Sequence, residues 1–275
     1  MVIIGRNDRR LKVISVLLSA TSRAGGPFRY ALRAVSEHRI HHPLADAAAG
    51  GQLTITGDEA QHAVRVKRVE AGSTVGIFDG AGRVATARVA RIGKDQRSRE
   101  WSLTLAVERV RAEPAPAPRL EVWSAVPKGG RLEDMIDGLS QAGFAAWAPL
   151  RSSRSIVEPT GHKLDRLARI VIESAKQCGR AWLMEVGEGG DVSAAFEHAG
   201  VIIADASGPP YGPGAVPARA RLLVGPEGGW TAQELEAARA AGATVASFGP
   251  HVMRIETAAV AAAAIVLDQL RRRSS

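Results

Sequence analysis

Two glycine-proline loops stand close together near the C-terminus: GPEGG, residues 225–229, and FGPHVMRIETA, residues 248–258. Glycine lets main chain approach a ligand without a Cβ in the way, and proline fixes the turn. Each loop follows a short apolar run and leads into a helix-forming stretch, the position where open α/β sheets hold small molecules. The second loop also gathers Arg254, Glu256 and Thr257 at the mouth of an alanine-rich helix, more polar groups than a turn requires. The plain alternatives are a ligand-free tight turn, a structural ion pair for Arg254, and helix capping for Glu256 and Thr257, with Thr257 the expected cap. Neither G-x-G-x-x-G nor GxxxxGK[ST] occurs, so the usual dinucleotide and P-loop fingerprints are missing.

Such loops need a sheet to hold them. VIIADA, RLLVG and TVASFG read as short buried strands, preceded by LEVWSAV and by a strand over 144–150. Helices are predicted over 131–141 (closed by Gly143), 163–178 (ending at Gly179), 232–241 and 257–272. Thr231 and Glu234 have capping-box spacing. Alternating strands and helices predict a mostly parallel sheet covered on both faces. Upstream, QLTITG, STVGIFDG, RVATARVARIG and WSLTLAVERV alternate apolar and polar residues, as half-exposed antiparallel strands do. With a short helix opening at Asp58 and Glu59, they predict a small β-barrel. AEPAPAP, residues 112–118, is a stiff boundary. The expected domains are therefore 37–115 and 119–275, after an irregular extension over 1–36. DASGPPYGPGAVPARA is expected to be a long surface loop.

Composition bounds the chemistry. With 275 residues, 45% apolar and 23% charged, the chain can build sizeable cores. The single cysteine, Cys178, has no partner in the chain for a disulfide, which suits a reducing cytoplasm. No run reaches the roughly 18 apolar residues of a membrane span. The net charge of +8 is unevenly spread: residues 1–36 carry seven basic residues against Asp8 alone, while 119–275 hold 17 of each sign. The basic balance is thus weak support for RNA binding. Within the extension, basic residues precede VISVLLSA and TSRA in the manner of a secretory or transit peptide, but a dispensable extension or an upstream start codon fits better.

The longer stretch LLVGPEGGWTAQELEAARAAGATVASFGPHVMRIETAA closely resembles the signature of the small-subunit ribosomal RNA uridine-N3 methyltransferases, the RsmE family of the SPOUT class. AVPKGGRLEDMIDGLSQAGFAAWAPLRSSRSI and ESAKQCGR agree in order, and TGDEAQHAVRVKRVEAGSTVGIFDGAG is similar to that family's PUA-like RNA-binding domain. The resemblance covers roughly 37–272. It implies an α/β fold: a C-terminal SPOUT-type trefoil-knotted parallel sheet with helices on both faces, plus a small N-terminal PUA-like β-barrel. It also implies a cytoplasmic homodimer that uses S-adenosylmethionine and no metal to methylate one uridine of 16S ribosomal RNA.

By the same resemblance the cofactor pocket is Leu223, Val224, Gly225, Pro226, Glu227 and Gly228 with Phe248, Gly249, Pro250, Val252, Met253 and Thr257. Arg254 would stabilise negative charge developing on the uracil, and Glu256 would act as base or, better, as an orienting group. Arg131 and Arg154 become candidate RNA contacts, as do Arg65, Lys67 and Arg68 in AVRVKRV. The chain departs from the usual family pattern at His251, Met253 and Ile255, and Asp137 and Gly138 are unusual in their helix.

Other signals carry less. His38, His41 and His42 lack a cysteine or carboxylate framework for metal and read as exposed strand residues. Cys178 reads as a packed small side chain near a helix end rather than a nucleophile. The rival functions are a non-catalytic RNA-binding relative and, with its fingerprint missing, a dinucleotide-dependent oxidoreductase.

Overall fold

The computed structural model describes residues 38–156, 161–212 and 219–273. The extension 1–36 and part of the predicted proline-glycine loop lie outside the described residues.

The first sheet collects β1 (Arg39–His41), β2 (Gln52–Thr56), β3 (Thr74–Phe78), β4 (Arg83–Lys94) and β5 (Trp101–Ala112) in the order β1-β3-β4-β5-β2. β1 runs parallel to β3 and the other pairings are antiparallel. The edges β1 and β2 do not pair, so the predicted barrel is an open half-barrel. Helix α1 (Gly57–Arg65) packs against β5, β2 and β1 and covers that opening, burying Ala60 and Ala63. Alternation along β4 and β5 sends Ala85, Ala87, Val89, Leu103, Leu105 and Val107 into the core beneath.

The strand β1 uses the histidine-rich segment. His41 lies in it, its ring 5.2 Å from Phe78 and its Nε2 3.3 Å from the Asp79 carbonyl oxygen. His38 and His42 flank it and are half-buried, where the sequence reading expected exposed residues.

The second sheet is parallel throughout. Its strands are β6 (Arg119–Ser124), β7 (Ala146–Arg151), β8 (Glu185–Val186), β9 (Gly190–Asp191), β10 (Val201–Ala204), β11 (Arg219–Val224) and β12 (Thr244–Ala246). The order is β12-β10-β11-β6-β7-β8, with β9 also on β7. Five helices accompany it: α2 (Arg131–Ala142), α3 (Gly161–Cys178), α4 (Val192–Phe196), α5 (Ala232–Ala240) and α6 (Ile255–Arg273). Along β6 and β11, Leu120, Val122, Ala220, Leu222 and Val224 face the core shared with α2, α3 and α6. Leu223 and Trp123 face the other side, with Trp230 and Ala238 of α5. Trp147 is fully buried and donates Nε1–H to Ser124 Oγ at 3.0 Å, so its polar edge is satisfied.

The short elements β8, β9 and α4 were not in the sequence reading, because two-residue strands and a five-residue helix leave no periodicity to read. Helix α2 ends where predicted, at Gly143 with φ 93°, whose N–H reaches the carbonyls of Leu139 and Ser140. Helix α6 starts at Ile255, two residues before the predicted start. Thr257 therefore sits inside the first turn and does not cap it; Arg254 supplies the first carbonyl, accepting from Ala258 N–H at 2.8 Å. The unusual Gly138 also has a packing reason: a Cβ there would lie 3.2 Å from Val260 Cγ2, so glycine lets α2 and α6 approach.

The two sheets share a close seam. Arg39 donates to the carbonyls of Ala175 and Arg180 and stacks on Phe78. Lys176, at the end of α3, pairs with Glu59 of α1. Trp182 fills the space that a Cβ at Gly82 would take and donates Nε1–H to the Glu113 carbonyl. Cys178 closes α3 beside this seam, half-buried. Among the described residues no helix is long and apolar enough to cross a membrane.

Candidate active site

Strands β12, β10 and β11 are neighbours, so the loops leaving their carboxyl ends meet. The chain leaves β11 toward β12 and leaves β6 toward β7, in opposite directions, which opens a crevice at those ends. A cavity of about 330 Å³ lies there. Its walls are Ala204–Ala206 after β10, Val224–Trp230 after β11, and Ser247–Gly249 with His251–Met253 after β12; Ile255, Ala258 and Ala262 of α6 also line it.

The first loop is rigidly built. Its N–H at Gly229 donates to the Pro226 carbonyl at 2.8 Å, and Gly229 takes φ 69°, the left-handed conformation that favours glycine. Trp230 folds back, buried, and donates Nε1–H to the Ala204 carbonyl at 3.1 Å, joining the first loop to the end of β10. A Cβ on Gly225 would lie 2.9 Å from that indole, so only glycine fits beneath it. Thr231 and Glu234 form the predicted capping box. Glu234 has a second use: its other carboxylate oxygen accepts from Ser153 N–H at 2.8 Å, from the loop after β7. Burial alone would raise the Glu234 pKa, but the N–H groups of Thr231 and Ser153 and the Thr231 hydroxyl outweigh it and lower the value.

The second loop is held differently. Phe248 stacks on Tyr211 with ring centroids 4.9 Å apart and planes 23° from parallel. Ser247 exchanges main-chain bonds with Pro209 and Tyr211. Beyond Phe248, Val252 is 93% exposed at the cavity rim.

Of the residues expected in the pocket, Val224, Gly225, Pro226, Glu227, Gly228, Phe248, Gly249, Val252 and Met253 line the cavity. Leu223 is buried on the opposite face of the sheet, and Pro250 and Thr257 are outside the lining. Arg254 is exposed between the lining residues Met253 and Ile255. Glu256 lies 3.7 Å from the Arg131 guanidinium at the start of α2, with its side chain 18% exposed. Arg154 is drawn to the first loop, its Nη1 donating to the Gly228 carbonyl at 2.6 Å. Arg65, Lys67 and Arg68 are exposed at the end of α1, on the first sheet's side of the molecule.

A third loop joins the two expected ones. Ala204, Asp205 and Ala206 close the cavity, and Asp205 fixes its own turn by accepting from Ser207 N–H and Oγ–H. VIIADA already read as a strand, so its carboxyl end was a legible signal. Trp230 and His251 are further lining residues not singled out for the pocket.

Comparison with known proteins places these features. A family described as an RNA methyltransferase domain matches residues 113–267, and one described as an RNA methyltransferase PUA domain matches 55–96. The chain is 30% identical over 233 residues to ribosomal RNA small subunit methyltransferase E of Synechocystis, covering 77% of this chain and 71% of that protein. It is also 30% identical to the protein of the same name from Mycobacterium bovis, covering 78% and 85%. Among solved structures, a ribosomal RNA small subunit methyltransferase E from Neisseria gonorrhoeae bound to S-adenosyl methionine superimposes with a TM-score of 0.71 at 25% identity, covering 84% of this chain and 97% of that one.

Proposed function

The chain belongs to the ribosomal RNA small subunit methyltransferase E family, with a SPOUT-type domain behind a PUA-like one, and on that premise we propose that it methylates N3 of one uridine in 16S ribosomal RNA using S-adenosylmethionine. The observation that carries this reading is the cavity at the carboxyl ends of β10, β11 and β12, walled by glycine main chain. Its volume of about 330 Å³ suits a small-molecule cofactor. The walls suit this one: Asp205 and Glu227 are acidic residues of the lining beside a ligand that carries positive charge, while Val224, Ala258 and Ala262 are apolar ones. The trefoil threading implied for such folds would clasp the ligand bent.

When bound, S-adenosylmethionine supplies an electrophilic methyl group on its sulfonium. The chain's own residues then have defined tasks. Main chain of the loops at 225–229 and 248–253 holds the donor and fixes the direction of its methyl group. Uridine N3 gives up its imide proton to water, and Arg254, exposed beside the cavity, stabilises the charge left on the uracil. Glu256, already facing Arg131, orients the entrance to α6 rather than taking the proton. Arg65, Lys67 and Arg68 contact RNA phosphate from the first domain. The enzyme works as a cytoplasmic homodimer.

Two measurements test the reading. Calorimetry with S-adenosylhomocysteine and with NAD should give binding to the first alone; NAD binding with no response to S-adenosylhomocysteine overturns it. Mass mapping of 16S ribosomal RNA after incubating small subunits from a deletion strain with the protein and S-adenosylmethionine should reveal one new N3-methyluridine, and unchanged RNA would remove the catalytic claim.

A further inference from the structure

We propose that Arg154 is a positioning residue that sets the first loop for the methyl donor, and is not an RNA contact. The inference rests on the methyltransferase reading and gives one of its arginines a different task.

The turn that presents Arg154 is built for the purpose. After β7 the chain reads Arg151-Ser-Ser-Arg-Ser155. Ser155 Oγ accepts from Ser152 N–H at 3.0 Å and lies 3.1 Å from Ser152 Oγ, so serine side chains close the turn. Ser153 N–H is held by Glu234 at 2.8 Å, which fixes the turn against α5. Arg154 then reaches across to the first loop. Its Nη1 donates to the Gly228 carbonyl at 2.6 Å and to the Trp230 carbonyl at 3.4 Å. Its aliphatic stem lies against Gly228, where a Cβ would be 3.3 Å from Cδ and 3.4 Å from Cβ of the arginine.

Three consequences follow. A charge-assisted bond orients the Gly228 carbonyl, and so the peptide plane between Gly228 and Gly229, both of which line the cavity. The stem blocks one side of Gly228 and leaves the other for a ligand. Nη1 of the guanidinium is also engaged by two main-chain acceptors, so the head group is held toward the first loop. Glu234 and Arg154 thus act as a pair of straps in opposite directions, one from α5 to the β7 turn and one from that turn to the first loop. Both loops sit at carboxyl ends of the same sheet, on β7 and β11, with only β6 between them.

The experiment measures affinity for S-adenosylhomocysteine by calorimetry and for 16S ribosomal RNA by filter binding, in the full chain. Arg154→Ala should weaken the first by about tenfold or more, the worth of one charge-assisted hydrogen bond, and leave the second unchanged. Arg154→Lys keeps the charge but its amine ends one bond short of Nη1, which bridges the two carbonyls, so it should fail to restore S-adenosylhomocysteine affinity; a residue acting by charge on RNA would be rescued by it. Gly228→Ala supplies a further arm that does not depend on deleting the arginine. Its methyl group should weaken S-adenosylhomocysteine binding in the wild-type background and do so less in Arg154→Ala, where the Cδ at 3.3 Å is gone and only the Cβ at 3.4 Å remains. A loss of RNA affinity with unchanged S-adenosylhomocysteine affinity in Arg154→Ala overturns the proposal, as does full rescue by lysine. Wild-type protein that binds no S-adenosylhomocysteine sinks the methyltransferase reading itself, a result distinct from either.

Discussion

Two of the three loops that wall the cavity, the glycine-proline pair, resemble each other in sequence and differ in how they are held. The first, after β11, is fastened at every side: Trp230 to the end of β10, Arg154 to Gly228, Glu234 to Ser153, and a capping box to its own helix. The second, after β12, is anchored at its base by the stack of Phe248 on Tyr211 and then runs to an almost fully exposed Val252. Among the described residues, no hydrogen bond ties residues 249–253 to a neighbouring loop. A fixed wall and a lightly held one suit a site that must keep one ligand aligned while admitting a second, larger one. Mutations in the first loop should therefore damage folding and cofactor binding together, and mutations in the second should damage turnover selectively.

The largest expected effect is Trp230→Ala. Removing a buried indole costs about 3–5 kcal/mol, and here it also deletes the bond to Ala204. Urea unfolding should report that loss, with S-adenosylhomocysteine affinity falling alongside it. A variant with wild-type stability would mean that the first loop is not the rigid wall. Next comes Arg254→Ala on the second loop. Its guanidinium is exposed, so stability should stay within about 0.5 kcal/mol, while kcat falls about 10²-fold or more, as for other lost groups that stabilise developing charge. Single-turnover kinetics with saturating donor separates the two, and an unaltered rate takes Arg254 out of the chemistry.

A matched pair of glycines sharpens the contrast. Gly225→Ala puts a methyl group 2.9 Å from the Trp230 ring and should cost about 1–3 kcal/mol through overpacking. Gly249→Ala meets only Met253 Cε, at 3.8 Å, an ordinary contact. Its thermal unfolding should match the wild type closely. Equal melting shifts for the two substitutions would erase the difference between the loops.

How much of this was legible beforehand follows from what each feature depends on. The parallel sheet, the cap at Gly143 and the capping box at Thr231 and Glu234 rest on local rules, and the sequence carries those rules in plain order. The start of α6 at Ile255 was misjudged because Thr257 is a good capping residue, whereas Arg254, which supplies the first carbonyl, carries no such signal. The barrel proved open because closure depends on whether β1 meets β2, a long-range matter that alternation along either strand does not decide. The straps from Arg154 and Glu234 were illegible for the same reason: their partners lie 74 and 81 residues away. Gly138 looked like a departure until Val260 appeared opposite it.

The smallest expected effect, and the one that addresses the straps directly, comes from pH. Glu234 accepts three hydrogen bonds, from Thr231 N–H, Thr231 Oγ–H and Ser153 N–H, and its pKa in the fold lies below the ordinary carboxylate value. A carboxylate with a depressed folded pKa contributes its full stability above the unfolded value of about 4.3 and loses it as pH falls through the lower, folded value. Comparing the wild type with Glu234→Gln by urea unfolding between about pH 3 and 6 should therefore give a difference that is greatest at the upper end and shrinks toward acid. A helix cap is worth about 1 kcal/mol, so the gap at pH 6 should be of that order. S-adenosylhomocysteine affinity should follow the same trend, because protonation slackens the strap between α5 and the β7 turn that carries Arg154. Parallel unfolding curves for the two proteins across the range would mean that the carboxylate charge holds neither loop, and the asymmetry between the walls would then rest on Trp230 and Arg154 alone.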